Sequence, residues 1–259
     1  MARLNLTVSV VSHHHRAELE QLLDDLAALV EPRLRRVIVT LNLPEPGLCV
    51  RLSRRAWPFE LHWLENAAPL GFGANHNRAF GHDGACGASE LFAVLNPDLR
   101  LRANPFDALI AALSADPHAG LAYPVQHDAA GRRQDHERRL PTPGRLLARH
   151  LLRRRHELGT GQAPDWVNGA FLLLRHAAYT DVGGFDERFH MYCEDVDLCL
   201  RLQLAGWRLV RADAAVVEHA GQRASRRRWP HLAWHLASLW RLWWSPAWRR
   251  YRRAARSGH

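Results

Sequence analysis

The sequence contains no lysine, so arginine alone supplies its basic side chains. Residues 220–259 contain ten arginines and no aspartate or glutamate. Residues 1–219 hold the other 25 basic residues against all 26 acidic ones, which leaves this part of the chain nearly neutral. The formal net charge of +9 is therefore a property of the C-terminal tail and does not indicate a uniformly basic protein.

Cysteines are few, and long apolar runs are missing. The four cysteines form no C-x-x-C pair and show no spacing typical of a metal site. We find no signal peptide, and no window reaches the roughly 18 uncharged apolar residues of a membrane span. We therefore expect a protein of the reducing cytoplasm with no transmembrane helix. The remaining composition is that of a globular protein with one large core or two small ones.

The order of apolar segments predicts an α/β fold. Residues 4–12 and 36–41 are apolar and rich in β-branched side chains, as buried strands are, and leucines lie on one face of a helix between them. This β-α-β beginning predicts a parallel sheet with a right-handed crossover. We predict further strands at 59–64, 91–95, 120–125, 166–174 and 214–219.

Residues 66–80 form a glycine-containing turn that runs into a helix. The third glycine of G-x-G-x-x-G is missing and the turn follows the third strand, so this is not the dinucleotide-binding fingerprint. Its small residues would let the backbone approach a ligand, with Asn75 and Asn77 as polar contacts. A tight turn with an asparagine-rich cap explains the same residues equally well.

Asn96-Pro97-Asp98 follows the fourth strand, at the carboxyl end where ligands bind in open α/β sheets. A hard cation such as Mg²⁺ or Mn²⁺ prefers oxygen ligands of this kind and would bridge them to a diphosphate. A single aspartate at a strand end is common, however, so the segment alone leaves its role open. His219 ends the last predicted strand and is either structural or a further metal ligand.

The segment 183–207 concentrates acidic residues ahead of an amphipathic helix that Gly206 is expected to end. Glu194 and Asp195 fall in its first turn, where backbone N–H groups and the helix dipole favour ionised carboxylates. An ionised carboxylate beside an apolar helix is a candidate general base. The alternative is that Asp195 only caps the helix.

Residues 126–157 are interpreted as an insertion with a helix from 145 to 158. Its arginine face is either solvated, which we favour, or contacts an anionic acceptor or lipid headgroups. Further along, Asn168-Gly169 interrupts the apolar strand at 166–174, and glycine at such a position suggests that a ligand approaches the backbone closely.

Six segments of this chain, in the same order and spacing, resemble the inverting glycosyltransferases of family 2, especially the rhamnosyltransferase-like branch. They span most of residues 4–225 and are VSVVS, GFGANHNRAF, VLNPD, DWVNGAFLLLR, GGFDERFHMYCEDVDLCLR and VVEHAGQRAS. The resemblance implies a GT-A fold, with a Rossmann-like, mostly parallel central sheet flanked by helices.

The resemblance also implies roles for individual residues. Asp195 is similar to the family's catalytic base with Glu194 as its partner, and Asp98 and His219 are similar to ligands of a divalent Mg²⁺ or Mn²⁺. The implied contacts to the nucleotide-sugar donor are Ser12, His14, Asn42, Gly71, Gly73, Asn77, Asn96 and Asp98. The implied contacts to the acceptor are Trp166, Gly169 and Glu187.

Two departures from the family pattern lie in the base-binding half. Leu41 stands where relatives usually have an aspartate that recognises the nucleotide base, and residues 12–15 (Ser-His-His-His) replace a T-Y-N-like loop. The nucleotide is therefore the least transferable inference. The resemblance implies dTDP-rhamnose as the donor and a glycan or lipid-linked molecule as the acceptor.

We expect a catalytic domain at 1–225, with a donor half at 1–125 and an acceptor half at 126–225, followed by a basic, tryptophan-rich helical tail at 226–259. Six of the ten tryptophans lie between 229 and 248, among arginines. Such a helix suits the surface of an anionic bilayer, here the cytoplasmic face of the inner membrane, as a peripheral contact. The alternative is a helix docked on the catalytic body.

Two other functions remain open at this point. A pI of about 10.5 and the arginine runs fit a nucleic-acid-binding protein, although the carboxylates would repel phosphate without a metal, and we expect no nucleic-acid partner. The changes at Leu41 and at 13–15 also fit a protein that keeps the fold without transferase activity.

Overall fold

A computed structural model gives the structure of the protein and describes residues 4–151, 158, 162–220 and 229–257. The last residues of the helix predicted at 145–158 and the domain boundary predicted at 225/226 lie outside the described residues.

An eight-stranded sheet forms the centre of the molecule, with strand order β3-β2-β1-β4-β9-β6-β10-β5. A separate two-stranded sheet consists of β7 and β8. The strands are β1 (Leu6–Ser12), β2 (Leu34–Leu41), β3 (Glu60–Glu65), β4 (Leu91–Leu95), β5 (Leu99–Arg100), β6 (Ala119–His127), β7 (Glu137–Arg138), β8 (Trp166–Val167), β9 (Phe171–Arg175) and β10 (Arg208–His219).

Nine helices are described, and most of them cover the two faces of the central sheet. They are α1 (Arg16–Ala28), α2 (Leu48–Ser53), α3 (Phe72–Ala85), α4 (Phe106–Ala115), α5 (Pro143–Leu151), α6 (His176–Asp181), α7 (Glu194–Leu204), α8 (Trp229–Trp244) and α9 (Pro246–Ser257).

The first four strands of the chain pair in parallel, as the β-α-β order predicted. Their side chains alternate between two cores: Val37 and Val39 pack in one with the leucines of α1, while Ile38 packs in the other with residues of α7. Burial on both faces explains why these strands are continuous apolar runs rather than alternating ones. Strand β9 then pairs antiparallel with β4 and β6, which makes the sheet mixed.

Two strand predictions need correction. The strand predicted at 166–174 is two strands in different sheets, because the chain turns at 168–170 between β8 and β9. The last strand begins at Arg208 rather than 214, with an irregularity in its pairing between Ala212 and Val216 that interrupts its apolar alternation.

The C-terminal helices pack on the rest of the described chain through one face. Leu242 and Trp248 are buried there, Ser238 donates a hydrogen bond to the carbonyl of Met191 at 2.7 Å, and Trp243 donates one to the carbonyl of Pro141 at 2.9 Å. The opposite face of α8 remains exposed. Within the described ranges, no helix is both long enough and apolar enough to cross a membrane.

Candidate functional site

The site lies at the edge of the sheet where its parallel strands end. Asn42 follows β2 and donates its backbone N–H to the carbonyl of Ser12, the last residue of β1, at 2.8 Å. Asn96 follows β4 at the same edge. Because β9 runs antiparallel to β4, with Phe171 opposite Leu95, the turn at 168–170 also falls there. This edge is where open α/β sheets bind ligands.

Asp98 and His219 lie together at this edge, as expected for a metal site. His219 Nε2 is 3.4 Å from Asp98 Oδ1, and both side chains are largely buried. Burial by itself raises the pKa of Asp98. The hydrogen bond and the charge of His219 lower the pKa by more than burial raises it, so the net pKa lies below its usual range. The carboxylate is therefore held ionised beside an imidazole.

Gln134 holds His219 in place from the loop after β6. Its Nε2 donates to the carbonyl of His219 at 2.6 Å, and its Oε1 lies 3.1 Å from the Nδ1 of the same residue. When a metal is bound, an acceptor at Nδ1 would hold the ring hydrogen there and free the Nε2 lone pair as a ligand. One oxygen and one nitrogen ligand suit a divalent ion that takes its other ligands from a diphosphate and water. The residues therefore fit a metal at this position.

Asp195 lies at the start of α7 and is tied to the turn at 168–170. Its Oδ2 accepts the N–H of Gly169 at 3.2 Å, and its Oδ1 accepts the N–H of Val196 at 2.8 Å. The next residue of the turn, Ala170, accepts the N–H of Asn96 at 2.8 Å. One three-residue turn thus connects the candidate base to the segment that carries Asp98.

The helix end does not lower the pKa of the two carboxyls at the start of α7, contrary to the expectation from the sequence. Burial raises the pKa of Glu194 well above its usual value, and the charge of Asp195 raises it further. Burial also raises the pKa of Asp195, although the N–H groups of Val196 and Gly169 oppose the shift. The expectation considered only the helix end and missed the desolvation around it.

Arg138, on β7, acts on Asp195 by its charge, and sequence reasoning missed it. Its charge lowers the pKa of Asp195, and its guanidinium lies 5.1 Å from the ring centroid of Trp166. Trp166 is only 8% exposed and donates its indole N–H to the carbonyl of Arg139 at 2.9 Å. Trp166 therefore supports Arg138. The position of Arg138 within the arginine-rich segment 132–139 gave no sequence signal of this role.

Gly71 and Gly73 lie where a side chain would collide with neighbouring protein atoms. Close packing within the protein explains these glycines, whereas the expectation from sequence was the approach of a ligand. A Cβ on Gly71 would lie 2.7 Å from the carbonyl oxygen of His190, and a Cβ on Gly73 would lie 2.5 Å from the Cβ of Phe185. Phe72 donates its N–H to the carbonyl of His190 at 3.0 Å. The start of α3 is thereby packed against the segment that leads into α7.

Several predicted donor contacts use their polar atoms inside the protein. The amide of Asn42 accepts the N–H of Leu70 and donates to its carbonyl, at 2.8 and 3.0 Å. The side chain of Ser12 is fully buried and donates its hydroxyl to Glu45. Both residues shape the loops around the site.

Asn77, another predicted donor contact, also uses its polar atoms inside the protein, where it holds the segment that carries Glu187, a predicted acceptor contact. Its Oδ1 accepts the hydroxyl of Tyr179 at 2.6 Å and the N–H of Phe185 at 2.9 Å. Its Nδ2 donates to the Phe185 carbonyl and to Glu187 Oε1, each at 2.9 Å. Glu187 is exposed, so of this cluster it is the group that a ligand reaches.

The histidines after β1 lie at the same edge. His13 and His14 are exposed, and His14 has a φ of 62°, in the left-handed region. The charge of His15 lowers the pKa of Asp98, which places His15 close to the candidate metal site. Asn96 is partly exposed beside it. Histidines therefore line the entrance where the family pattern has other residues.

Comparison with known proteins identifies the family. Residues 135–255 match the model of glycosyl transferase family group 2. A relative from Mycobacterium tuberculosis H37Rv, N-acetylglucosaminyl-diphospho-decaprenol L-rhamnosyltransferase, is 33% identical over 198 residues. The chain belongs to glycosyl transferase family group 2. This alignment covers 68% of the chain and 64% of the relative, so the chain spans somewhat less than two thirds of that protein.

Another relative is similar along nearly its whole length. Rhamnosyltransferase WbbL of Escherichia coli K12 is 26% identical over 245 residues, which covers 90% of each protein. Among solved structures, GalNAc-T7 with UDP, GalNAc and Mn²⁺ has a TM-score of 0.66 at 13% identity, covering 95% of this chain and 49% of that one. The mannosyltransferase PcManGT of Pyrobaculum calidifontis with GDP-Man and Mn²⁺ has a TM-score of 0.60 at 18% identity, covering 100% and 77%. These two structures establish the GT-A fold.

At the end of β2 the chain lacks the aspartate expected from the family pattern. The position before Asn42 is Leu41, which is 3% exposed and packs in the core. A buried leucine there has no polar group for a nucleotide base. The neighbouring polar groups that remain exposed are His13 and His14.

Proposed function

We propose that this chain is an inverting glycosyltransferase that moves L-rhamnose from dTDP-rhamnose to a hydroxyl of a lipid-linked, diphosphate-bearing saccharide. The proposal is supported by the relatives named as rhamnosyltransferases, one of which is named for a decaprenol-linked acceptor. The observation that carries it is the turn at 168–170, which holds Asp195 on one side and the segment of Asp98 on the other.

Asp195 acts as the general base in this proposal. It takes the proton of the acceptor hydroxyl as that oxygen attacks the anomeric carbon, while the bond to the diphosphate breaks on the opposite face with its electrons leaving on phosphate oxygen. A single displacement of this kind inverts the anomeric configuration. A pKa raised by burial makes Asp195 a stronger base than an exposed aspartate.

Glu194 is the neutral partner of that base. Its Oε2 is buried and has no hydrogen-bond partner among the described residues, and burial raises its pKa well above the usual value. Two adjacent carboxyls in a desolvated site do not both ionise readily. The proton therefore stays on Glu194, and Asp195 carries the charge that Gly169 and Val196 hold in place.

Asp98 and His219 are the proposed ligands of Mg²⁺ or Mn²⁺. When bound there, the ion neutralises the charge of the nucleoside diphosphate leaving group, so that no general acid is needed. Asp98 supplies a carboxylate whose pKa lies below its usual range, and Gln134 keeps His219 Nε2 directed at the ion.

The exposed face of α8 is proposed to contact the membrane that carries the acceptor. Trp240 and Trp244 are 63% and 59% exposed, with ring centroids 5.7 Å apart. Arg249 lies over Trp244 at 4.8 Å, and Arg241 is also exposed. Aromatic and arginine side chains together suit an anionic bilayer surface. We place the protein on the cytoplasmic face of the membrane, as a peripheral protein.

A transfer assay tests the function. The purified chain is incubated with Mg²⁺ or Mn²⁺, a panel of nucleotide sugars and a polyprenyl-diphosphate N-acetylglucosamine acceptor, and the product's anomeric configuration is determined by NMR. We expect transfer from dTDP-rhamnose with inversion, only in the presence of acceptor. Transfer with retention would contradict the mechanism. If no donor on the panel is consumed, the chain keeps the fold without the activity.

A further inference from the structure

Three metal-ligating side chains meet away from the site described above. His62 lies on β3, and His82 and Cys86 lie at the end of α3. The donor atoms of all three are within 4.8 Å of one another, and in the part of the chain that the structure describes this is the one such group of histidine, cysteine and acidic residues. The sequence shows no C-x-x-C pair or other metal-site spacing here, because one ligand comes from β3 and the other two come from the end of α3.

The fold brings the three residues together for simple reasons. His82 and Cys86 are four residues apart at the end of one helix, so their side chains lie on the same face. His62 is on the edge strand of the central sheet, and α3 packs across that part of the sheet. Helix α3 has 14 residues and is thus about 21 Å long. Cys86 therefore lies far from Phe72, where α3 meets the candidate active site.

One of the two ligand distances already fits a tetrahedral zinc site, and the other needs a small separation of the histidine rings. Zinc lies about 2.0–2.1 Å from histidine nitrogen and about 2.3 Å from cysteine sulfur, so tetrahedral ligands are about 3.3 Å apart for two nitrogens and about 3.6 Å for nitrogen and sulfur. Cys86 Sγ is 3.7 Å from His82 Nε2. His62 Nδ1 is 2.8 Å from His82 Nε2, so the two rings must separate by roughly 0.5 Å.

A second layer of residues prepares His62 as a ligand. Glu60 Oε2 lies 3.5 Å from His62 Nε2, on the side of the ring away from His82. A carboxylate in this position holds the ring hydrogen on Nε2 and leaves the Nδ1 lone pair for a metal.

We propose that His62, His82 and Cys86 bind one Zn²⁺ ion, with water as the fourth ligand. The nitrogen and sulfur ligands favour this borderline-soft ion over Mg²⁺ and Mn²⁺, which prefer oxygen. On binding, the Cys86 thiol would lose its proton to solvent, and the hydrogen that His82 Nε2 shares with His62 Nδ1 would move through solvent to His82 Nδ1, so that each neutral ring offers one nitrogen to the ion. The three ligands are partly exposed, so the ion enters directly from solvent.

The ion would connect the edge strand to the helix that covers it. Among the described residues, strand β3 pairs with β2 alone, so no other described strand holds its outer edge. A bond network from His62 to α3 fixes that strand without using the candidate active site. The proposal is thus independent of the proposed transferase function and of the metal at Asp98.

Protection of cysteine from alkylation tests the proposal in the unmodified full-length chain. Cys49 and Cys86 are both partly buried free thiols, and only Cys86 belongs to the cluster, so Cys49 is an internal control. With stoichiometric Zn²⁺, we expect labelling of Cys86 by iodoacetamide to slow at least tenfold while Cys49 is unaffected, with a chelator reversing the effect. Equal labelling of Cys86 with and without Zn²⁺ would overturn the proposal.

Metal stoichiometry distinguishes this site from the one at Asp98. We expect one Zn²⁺ per chain after gel filtration in wild type and in Asp98→Asn, and none retained in His82→Gln or Cys86→Ser. Co²⁺ should give the near-ultraviolet absorption of a cobalt–thiolate bond in wild type and in Cys49→Ser but not in Cys86→Ser. Zinc retained by Cys86→Ser, or no cobalt–thiolate absorption in wild type, would contradict the assignment.

Discussion

Two adjacent carboxyls at the start of α7 illustrate how environment separates residues of the same chemistry. Asp195 accepts two backbone N–H groups and faces the charge of Arg138, whereas the Oε2 of Glu194 is buried without a hydrogen-bond partner among the described residues. Glu194 therefore carries the larger cost of ionisation. The same helix-end argument applied to both residues at the level of sequence, because desolvation depends on residues far away in the chain.

The pH dependence of stability should reveal the raised pKa of Glu194. Because the pKa is higher in the folded protein than in the unfolded chain, the contribution of Glu194 to stability is complete below about pH 4 and is lost as pH rises through the folded pKa. The glutamine side chain of the Glu194→Gln variant cannot ionise, so the variant does not lose this stability as pH rises. We expect its melting temperature, relative to wild type, to rise between about pH 5 and pH 8. A difference that is the same at both pH values would contradict the assignment.

Gln134 should control how tightly the metal binds. Gln134→Ala leaves His219 free to rotate while keeping both proposed ligands, Asp98 and His219. We expect the metal concentration for half-maximal activity to rise about 10- to 100-fold, with most of the turnover recovered at saturating metal. Gln21→Ala removes a glutamine on α1 that donates to Asp25, outside the candidate site, and controls for general damage. Loss of turnover that metal does not restore would assign Gln134 another role.

At the scale of elements, the apolar patterns predicted the sheet well and the turns poorly. Strand β4 has the predicted bounds, and the parallel β1-β2 pair follows from the β-α-β order. Asn168-Gly169 is interpreted from sequence as a ligand contact inside one strand. In the structure the turn at 168–170 separates strands of two sheets. Sequence patterns report which side chains are buried and do not report which strand is the partner.

The start of α3 provides a steric test of the packing assigned to Gly73. A Cβ at this position would lie 2.5 Å from the Cβ of Phe185, which cannot move without the segment leading into α7. We expect Gly73→Ala to lower the free energy of unfolding by about 1–3 kcal/mol in urea titrations.

Gly81→Ala is the matched control on the same helix. An added Cβ there has no atom within 4 Å, and the residue is exposed. Replacing a glycine inside a helix with alanine should then stabilise the protein by about 0.5–1 kcal/mol. Equal effects of Gly73→Ala and Gly81→Ala would show that helix propensity, not contact with Phe185, decides both.

The exposed face of α8 should carry membrane binding. Deleting the whole tail would expose the core around Leu242 and Trp248, so substitutions on the outer face are the cleaner change. We expect the double variant Trp240→Ala, Trp244→Ala to float with anionic vesicles at least threefold less than wild type, with the same melting temperature. Flotation of wild type on neutral vesicles should be weak. Unchanged flotation of the double variant would remove α8 as the contact.

At the scale of the whole molecule, the candidate site combines residues that no local pattern connects. Spacing and resemblance pointed to Asp98, Asp195 and His219. Gln134 and Arg138 were missed, because their roles depend on contacts 85 residues away to His219 and across the fold to Asp195. The family motifs therefore located the reacting groups, while the residues that orient them required the structure.

The account depends most on Asp195 as the base, and Asp195→Asn tests this directly. The amide keeps the shape and, with its oxygen toward Gly169, the contact to the 168–170 turn, although it gives up the contact to the N–H of Val196. It cannot accept the acceptor's proton at neutral pH. Donor binding is measured by calorimetry with dTDP-rhamnose and metal, and turnover by the transfer assay, with the exposed Asp213→Asn as a control. We predict donor affinity within about twofold of wild type and turnover reduced at least ~100-fold. Turnover equal to that of Asp213→Asn would contradict the assignment of Asp195 as the base.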